Sequence, residues 1–292
     1  LADGVALYRA MPAEARLTPA QCRFFADLAR EGAQLNVDPA KVDFLRLRLS
    51  RRLRALGLDD FDAYESLLRA DPAGPERACL VEALTTHTTS FFREARQYDW
   101  LAETGLDLLG EDGAGFDRPL TVWSAACSTG AELWSAAMVV ADRASRPGGL
   151  RRFRLFGTDI SRPILKKAAG ATYAEDEIAG VSREHVSRYF MRSKAPHGPE
   201  GRRLYRVAPE LRANASFAVV NLTDPAALPP IAADVVFLRN VLIYFDPAVQ
   251  VRVVDAVAAR IRPGGFLLTG HAEAIPQRPT LLAVGPSIYR RE

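Results

Sequence analysis

The chain has 292 residues, 48% hydrophobic and 25% charged, a globular composition that excludes collagen-like and disordered classes and allows one large domain or two unequal ones. Its 38 Lys and Arg against 35 Asp and Glu give a net charge of +3, too small a balance to point to nucleic acid. Three scattered cysteines, Cys22, Cys79 and Cys127, make neither a disulfide framework nor a zinc site and suit a reducing cytoplasm. No signal-peptide pattern opens the sequence, and Glu132, Asp234 and Arg239 interrupt its most apolar stretches, so no membrane insertion is expected.

In chain order, residues 1–80 read as a helical domain. Thr18-Pro19 is an N-cap and N1 pair ahead of a first helix. A second helix spans about 39–56, where Val42, Leu45, Leu49, Leu53 and Leu56 form one stripe. A third runs over 61–69 and ends at the breaker Asp71-Pro72-Ala73-Gly74-Pro75. Residues 81–292 form the second domain. From Leu120 onward strands (120–123, 153–156, 216–220, 234–238, 266–269) alternate with helices (131–144, 163–169, 248–261), which predicts βαβ units and a parallel sheet. Pro263-Gly264-Gly265 is expected as the turn into the last strand. Residues 187–213, rich in Pro and Gly around 196–201, read as an inserted antiparallel β-subdomain.

Chemistry concentrates at strand ends. The small residues Ser124 to Gly130, followed by Glu132, lie between a strand and a helix, either as an ordinary tight turn or as a place where a ligand meets the backbone. Asp159 ends the next strand as a ribose acceptor or a helix N-cap. The segment 85–94, with His87, Thr89 and Arg93, is either a pocket lid or a capping box. Arg239, Asn240 and Tyr244 follow the apolar run 235–238, the end at which open α/β sheets bind ligands. The four histidines show no ligand spacing, so no metal is expected.

The runs TTHTTSFFRE, VWSAACSTGAE, FGTDIS, YFMR, VVNL, FLRNVLIYFD, IRPGG and GHAE, in this order, resemble the CheR family of chemotaxis receptor methyltransferases, strongly over 85–273. The resemblance implies a helical N-terminal domain, a Rossmann-like S-adenosylmethionine-binding domain with a small antiparallel β-subdomain, and methylation of glutamates on cytoplasmic chemoreceptor helices, with S-adenosylhomocysteine as the product. It places cofactor contacts on His87, Thr89, Arg93, Gly130, Glu132, Asp159, Asn221, Leu222, Arg239 and Asn240, and the handling of the acceptor on Arg93 and Tyr244. His87 stands where the family has Asn, and Gly130-Ala131-Glu132-Leu133-Trp134 departs from its usual glutamate pair followed by Pro-Tyr. The rival reading is a non-catalytic binder of S-adenosylmethionine or a nucleotide that signals through protein contacts. A monomer is expected.

Between 41 and 56 six basic residues face one acid, Asp43. Arg48, Arg51, Arg52 and Arg54 lie away from the leucine stripe, as solvated surface or as a docking face for acidic receptor helices. The inserted subdomain either covers the sheet or offers 202–207 as an edge to a receptor C-terminal peptide. Asp159→Ala is expected to weaken cofactor binding and leave the fold intact.

Overall fold

The structure is a computed structural model that describes residues 16–194, 201 and 203–292. The first fifteen residues, residues 195–200 of the Pro- and Gly-rich loop and Arg202 of the expected edge lie outside that set. The chain divides into two compact units between Thr86 and His87.

The first unit holds four helices: α1 (Pro19–Ala33), α2 (Val42–Leu56), α3 (Phe61–Ala70) and α4 (Pro75–Leu84). Thr18 and Gln21 close a capping box on α1, each backbone N–H donating to the other's side chain, which satisfies two orphan donors of the first turn. Asp60 caps α3 by accepting from the Ala63 N–H at 2.8 Å. The leucine stripe of α2 is inside at Leu45, Leu49 and Leu53, each 0% exposed, while Val42 and Leu56 at its ends reach solvent. Full burial of each leucine contributes about 1.5–3 kcal/mol. The stretch expected to break the chain also starts a helix: Gly74 is extended and Pro75 takes the first position of α4, where a missing N–H costs nothing.

One expected docking residue turns inward. The Arg52 guanidinium grips Glu76 of α4 with both carboxylate oxygens, at 2.8 and 2.5 Å, and Tyr64 of α3 donates its hydroxyl to the same carboxylate at 2.8 Å. Arg52 sits nearest the edge of the leucine stripe, so its side chain reaches the facing helix and leaves the docking set. Arg51 and Arg54 are exposed, and Arg48 lies over the Phe44 ring at 5.3 Å.

The second unit begins with an irregular segment and then a helical run of α5 (Arg96–Trp100), a π-turn (Leu101–Gly105) and α6 (Leu106–Glu111), which sequence reading left without structure. Next come β1 (Leu120–Ser124), α7 (Ala131–Ala144), β2 (Phe153–Asp159), α8 (Arg162–Gly170), β3 (Thr172–Ala174), α9 (Arg183–Tyr189), β4 (Phe190–Arg192), β5 (Leu204–Val207), α10 (Pro209–Arg212) and β6 (Ala215–Val219). β7 (Ala233–Leu238), α11 (Pro247–Ala258), β8 (Ile261–Thr269), β9 (Leu281–Gly285) and β10 (Ile288–Arg291) complete it. The large sheet has the order β6-β2-β1-β7-β8-β10-β9. Its first five strands are mutually parallel, and β10 and β9 are antiparallel additions. All six residues of β7 are buried, as a strand covered on both faces must be. At its start the Asp234 carboxylate accepts from Arg118 at 2.5 Å and from the Thr121 N–H at 2.7 Å.

Two boundaries differ from expectation. Pro263-Gly264-Gly265 lies inside β8, where the pairing with β7 shifts register between Ala233 and Val235; Gly264 has a φ of +82°, so the triplet makes a bulge rather than a turn. The small sheet has the order β3-β5-β4, so it recruits 172–174 from before the expected insertion. β5 is its central strand, paired on both sides, and therefore not the open edge. No helix among the described residues is long and apolar enough to cross a membrane.

The Arg52 pair gives a first prediction. Arg52→Ala leaves the half-buried Glu76 without its cation, and should destabilise the helical unit by about 1–3 kcal/mol, read by urea denaturation.

Candidate functional site

Parallel strands deliver their C-terminal ends to one end of the sheet, and the expected site residues follow those ends. After β1 the chain turns tightly. Cys127 N–H donates to the Thr158 carbonyl at 2.8 Å, and Ser128, at a φ of +50°, donates its N–H to Asp159 Oδ2 at 2.9 Å. Gly130 opens α7 at a φ of +88°, and a Cβ there would lie 2.9 Å from Trp134 Nε1 and 3.0 Å from the Ala168 Cβ. Both torsion and space require glycine.

Asp159 has a second attachment: its Oδ1 accepts from the Ser161 N–H at 3.0 Å. The carboxylate therefore ties the turn after β1 to the turn after β2, with lone pairs remaining for a ribose hydroxyl. This alters the expectation for Asp159→Ala, since the side chain holds two backbone donors.

The centre of the site is Arg239, whose side chain is 1% exposed at the end of β7. Its Nη2 lies 3.1 Å from Glu94 Oε2 and donates to the Arg93 carbonyl. Its Nη1 donates to the Tyr98 hydroxyl at 3.2 Å and lies 3.5 Å from Glu132 Oε2. Glu132 also accepts from Ser124 Oγ at 2.7 Å. Burial pushes the Glu132 carboxyl above its ordinary range. Arg239 and the Ser124 hydroxyl oppose that, and the neighbouring Glu273 and Glu94 add to it. Glu94 is also pushed up by burial, but Arg239, the Asn240 amide and His271 together bring it below its ordinary value.

The segment 87–95 is neither a capping box nor a helix start. Ser128 Oγ donates to the His87 carbonyl at 2.9 Å, pinning the segment beside the β1 turn. Phe91 packs edge-on against Tyr173 of β3 at 4.9 Å and Phe190 of β4 at 5.8 Å. Phe92 stacks on His185 of α9 at 5.3 Å and donates its N–H to Ser135 Oγ at 2.9 Å. Between these anchors Phe92 and Glu94 take positive φ of 52° and 61°, which aims Glu94 at Arg239. The Arg93 guanidinium donates to the Thr88 carbonyl at 3.2 Å. Thr89 is half-buried in the same segment.

Asn221 follows β6 and closes its own turn, accepting from Thr223 N–H and Oγ1 at 3.1 and 2.8 Å, while Leu222 is buried. Asn240, at a φ of +56°, points its Nδ2 toward Glu94 Oε1 at 3.4 Å. Tyr244 is half-buried on a single 3-10 turn, and no hydrogen bond or ring contact among the described residues joins it to Arg93. Sequence reading missed Glu94 and Tyr98 as partners of Arg239, and Ser124 as the donor to Glu132. The Glu of FFRE was in view, but its partner lies 145 positions away. An open cavity of about 570 Å³ lined by Arg151, Arg152, Arg154, Asn214 and Ser216 lies at the opposite end of the sheet and contains none of these residues.

Comparison with known proteins agrees with this layout. The description "CheR methyltransferase, all-alpha domain" matches residues 20–85, and "CheR methyltransferase, SAM binding domain" matches residues 87–287. The chain belongs to the CheR methyltransferase family. It is 38% identical over 257 residues to the chemotaxis protein methyltransferase of Salmonella typhimurium, covering 88% of this chain and 84% of that one. The Escherichia coli protein of the same name is 37% identical over 257 residues, covering 88% and 85%. Chemotaxis protein methyltransferase 2 of Pseudomonas aeruginosa is 32% identical over 260 residues, covering 87% of each.

As a CheR methyltransferase the protein binds S-adenosylmethionine, and the site's donor set fits it. Glu94 Oε2 and Arg239 Nε are both buried without a hydrogen-bond partner among the described residues. They offer an acceptor and a donor to a ligand whose methionine end carries an ammonium and a carboxylate, as buried polar groups require.

Two predictions follow from this geometry. Asp159→Ala strands the Ser128 and Ser161 amides, so it should cost about 1–3 kcal/mol of stability in urea as well as weakening the cofactor. Because Glu132 holds its proton to higher pH in the folded state, its contribution is complete below the unfolded carboxylate range and is lost as pH rises through the folded value. Glu132→Gln removes that loss. Relative to the native protein, the variant should gain stability as pH rises above the ordinary carboxylate range of about pH 4, in urea melts at successive pH values.

Proposed function

We propose that the protein transfers the methyl group of S-adenosylmethionine to glutamate carboxylates on the cytoplasmic helices of chemoreceptors, releasing S-adenosylhomocysteine. The names of its relatives supply the chemotactic setting, and a monomer working in the cytoplasm suits that substrate. The observation that carries the reading is Arg93. Its main chain is fastened to Arg239, while its guanidinium, among the described residues, donates only to the Thr88 carbonyl, leaving donors for an acceptor carboxylate.

Bound S-adenosylmethionine supplies an electrophilic methyl group on a sulfonium. A glutamate side chain, with a reference pKa of about 4.3, is ionised at neutral pH and attacks without a general base. The work left to the protein is alignment, worth about 7–11 kcal/mol in favourable cases. In this reading Glu132, Glu94, Arg239 and Asn240 hold the methionine end, and Asp159 takes the ribose. His87, Thr89, Gly130, Asn221 and Leu222 line the remainder. Arg93 holds the acceptor carboxylate and Tyr244 sets its angle.

Arg48, Arg51 and Arg54 form the docking face for the receptor's acidic helices, with Arg52 excluded by its pair with Glu76. If a receptor C-terminal peptide adds a strand to the small sheet, β3 or β4 is the strand it pairs with, because β5 is already paired on both sides.

The test is transfer of radiolabelled methyl groups to a receptor cytoplasmic fragment, with the label released as methanol by mild base, as an ester requires. Arg51→Glu with Arg54→Glu should raise the KM for receptor on the order of tenfold at low salt and flatten its salt dependence. The KM for S-adenosylmethionine should stay unchanged. Native receptor kinetics in that variant would remove α2 from the interface, and label stable to base would exclude the ester.

A further inference from the structure

The motif Gly270-His271-Ala272-Glu273 follows β8, and the functional reading above gives it no task. Glu273 is 4% exposed, yet its carboxylate meets no cation among its hydrogen-bond partners. It turns across to the segment that follows β7. Oε2 accepts from the Asn240 N–H at 2.6 Å and the Gly270 N–H at 2.8 Å; Oε1 accepts from the Leu242 N–H at 2.7 Å and the Ile243 N–H at 3.3 Å. An ionised carboxylate has about four acceptor sites, and backbone amides fill all four.

The motif's own backbone is equally fixed. Glu273 N–H donates to the Gly270 carbonyl at 2.9 Å, and Thr269 Oγ1 donates to the Glu273 carbonyl at 3.0 Å. A Cβ on Gly270 would lie 2.7 Å from Asn240 Nδ2 and 2.7 Å from Glu273 Oε2, so only glycine allows the two segments to meet this closely. Converging backbone amides form an anion-binding concavity, and here the anion belongs to the same chain. The left-handed backbone of Asn240 that it secures is uncommon outside glycine, asparagine being among the residues that adopt it, and it is the one from which the Asn240 amide faces Glu94.

We propose that Glu273 is a positioning residue for the methyl-transfer site: its carboxylate holds residues 239–244 in the conformation that presents Asn240 to the cofactor and Tyr244 to the acceptor, touching neither ligand itself. The proposal rests on the assignment of Asn240 to the cofactor. Glutamine in place of Glu273 keeps the shape but puts an amide donor against backbone donors, whereas aspartate keeps the charge one methylene short.

The experiment uses the full chain and S-adenosylhomocysteine as the probe, so that it does not depend on the identity of the acceptor. In the ligand-free native protein, the amides of Asn240, Leu242 and Gly270 should exchange with solvent as slowly as those of β7. Glu273→Gln, with a native near-ultraviolet circular dichroism spectrum, should bind the probe roughly tenfold or more weakly by calorimetry, and Glu273→Asp should recover part of that loss. Native affinity in Glu273→Gln overturns the proposal, as does a loss that disappears when an osmolyte restores its global stability. If Glu273→Gln does not fold, the native exchange rates decide: slow exchange supports the clamp and rapid exchange overturns it. Asn240→Ala measured in parallel locates a failure. Weak binding there beside native affinity in Glu273→Gln overturns the clamp alone, and native affinity in both overturns the assignment beneath it.

Discussion

The second unit depends on one buried cation. A guanidinium removed from water is tolerated only when its charge and its donors are met, and Arg239 finds its partners on three separate pieces of chain. Glu94 and the Arg93 carbonyl come from the irregular segment before the sheet, Tyr98 from α5 and Glu132 from the first turn of α7. The ring of Tyr98 lies under the guanidinium at 5.5 Å and stacks on Phe237 of β7. The left-handed turns at Phe92 and Glu94 therefore follow from where Arg239 must be answered. They are not free choices of the loop.

The same cluster sets the electrostatic character of the site. Two carboxylates, Glu94 and Glu132, face one guanidinium, and burial leaves their mutual repulsion poorly screened. Opposite shifts of the two groups follow from their places: Glu94 has the closer approach to Arg239 together with His271 and Asn240, while Glu132 lies deeper beside other acids.

Local pattern made much of the fold legible and little of the wiring. The capping box at Thr18, the leucine stripe of α2 and the alternation from Leu120 each express themselves within a few residues, and the sequence reading placed α1, α2, α3, α7 and the five parallel strands. α4 is hidden in the sequence because Pro75 reads as a stop and is also a start. Sequence reading missed β3, at three residues too short to show a period, and the β9–β10 hairpin, in which β9 has no polar residue to alternate and β10 is only four residues long. The π-turn between α5 and α6 obscured a helical run that has no steady stripe. For the site, motif order brought the right neighbourhood into view, but roles depended on distance. Arg52 reads with its exposed neighbours, and Glu76, 24 positions on, occupies it. Asp159 reads as a ribose acceptor, to which the structure adds two backbone donors, and Glu273 reads only as the tail of a motif.

The strand order has a temporal consequence. β1 and β7 are adjacent in space, but the Asp234 carboxylate that closes their start reaches Thr121 across 113 residues of chain. At about 5–20 residues per second of synthesis, roughly ten seconds separate the emergence of the two strands from a ribosome. The helical unit lies wholly ahead of β1 in the chain, so the packing of α4 on α1 and α2 can be complete before that interval begins. Through the same interval β1 has β2 on one side and an unpaired apolar edge on the other. The seam between β1 and β7 stays open to mispairing until β7 arrives, and β8 then adds beyond it.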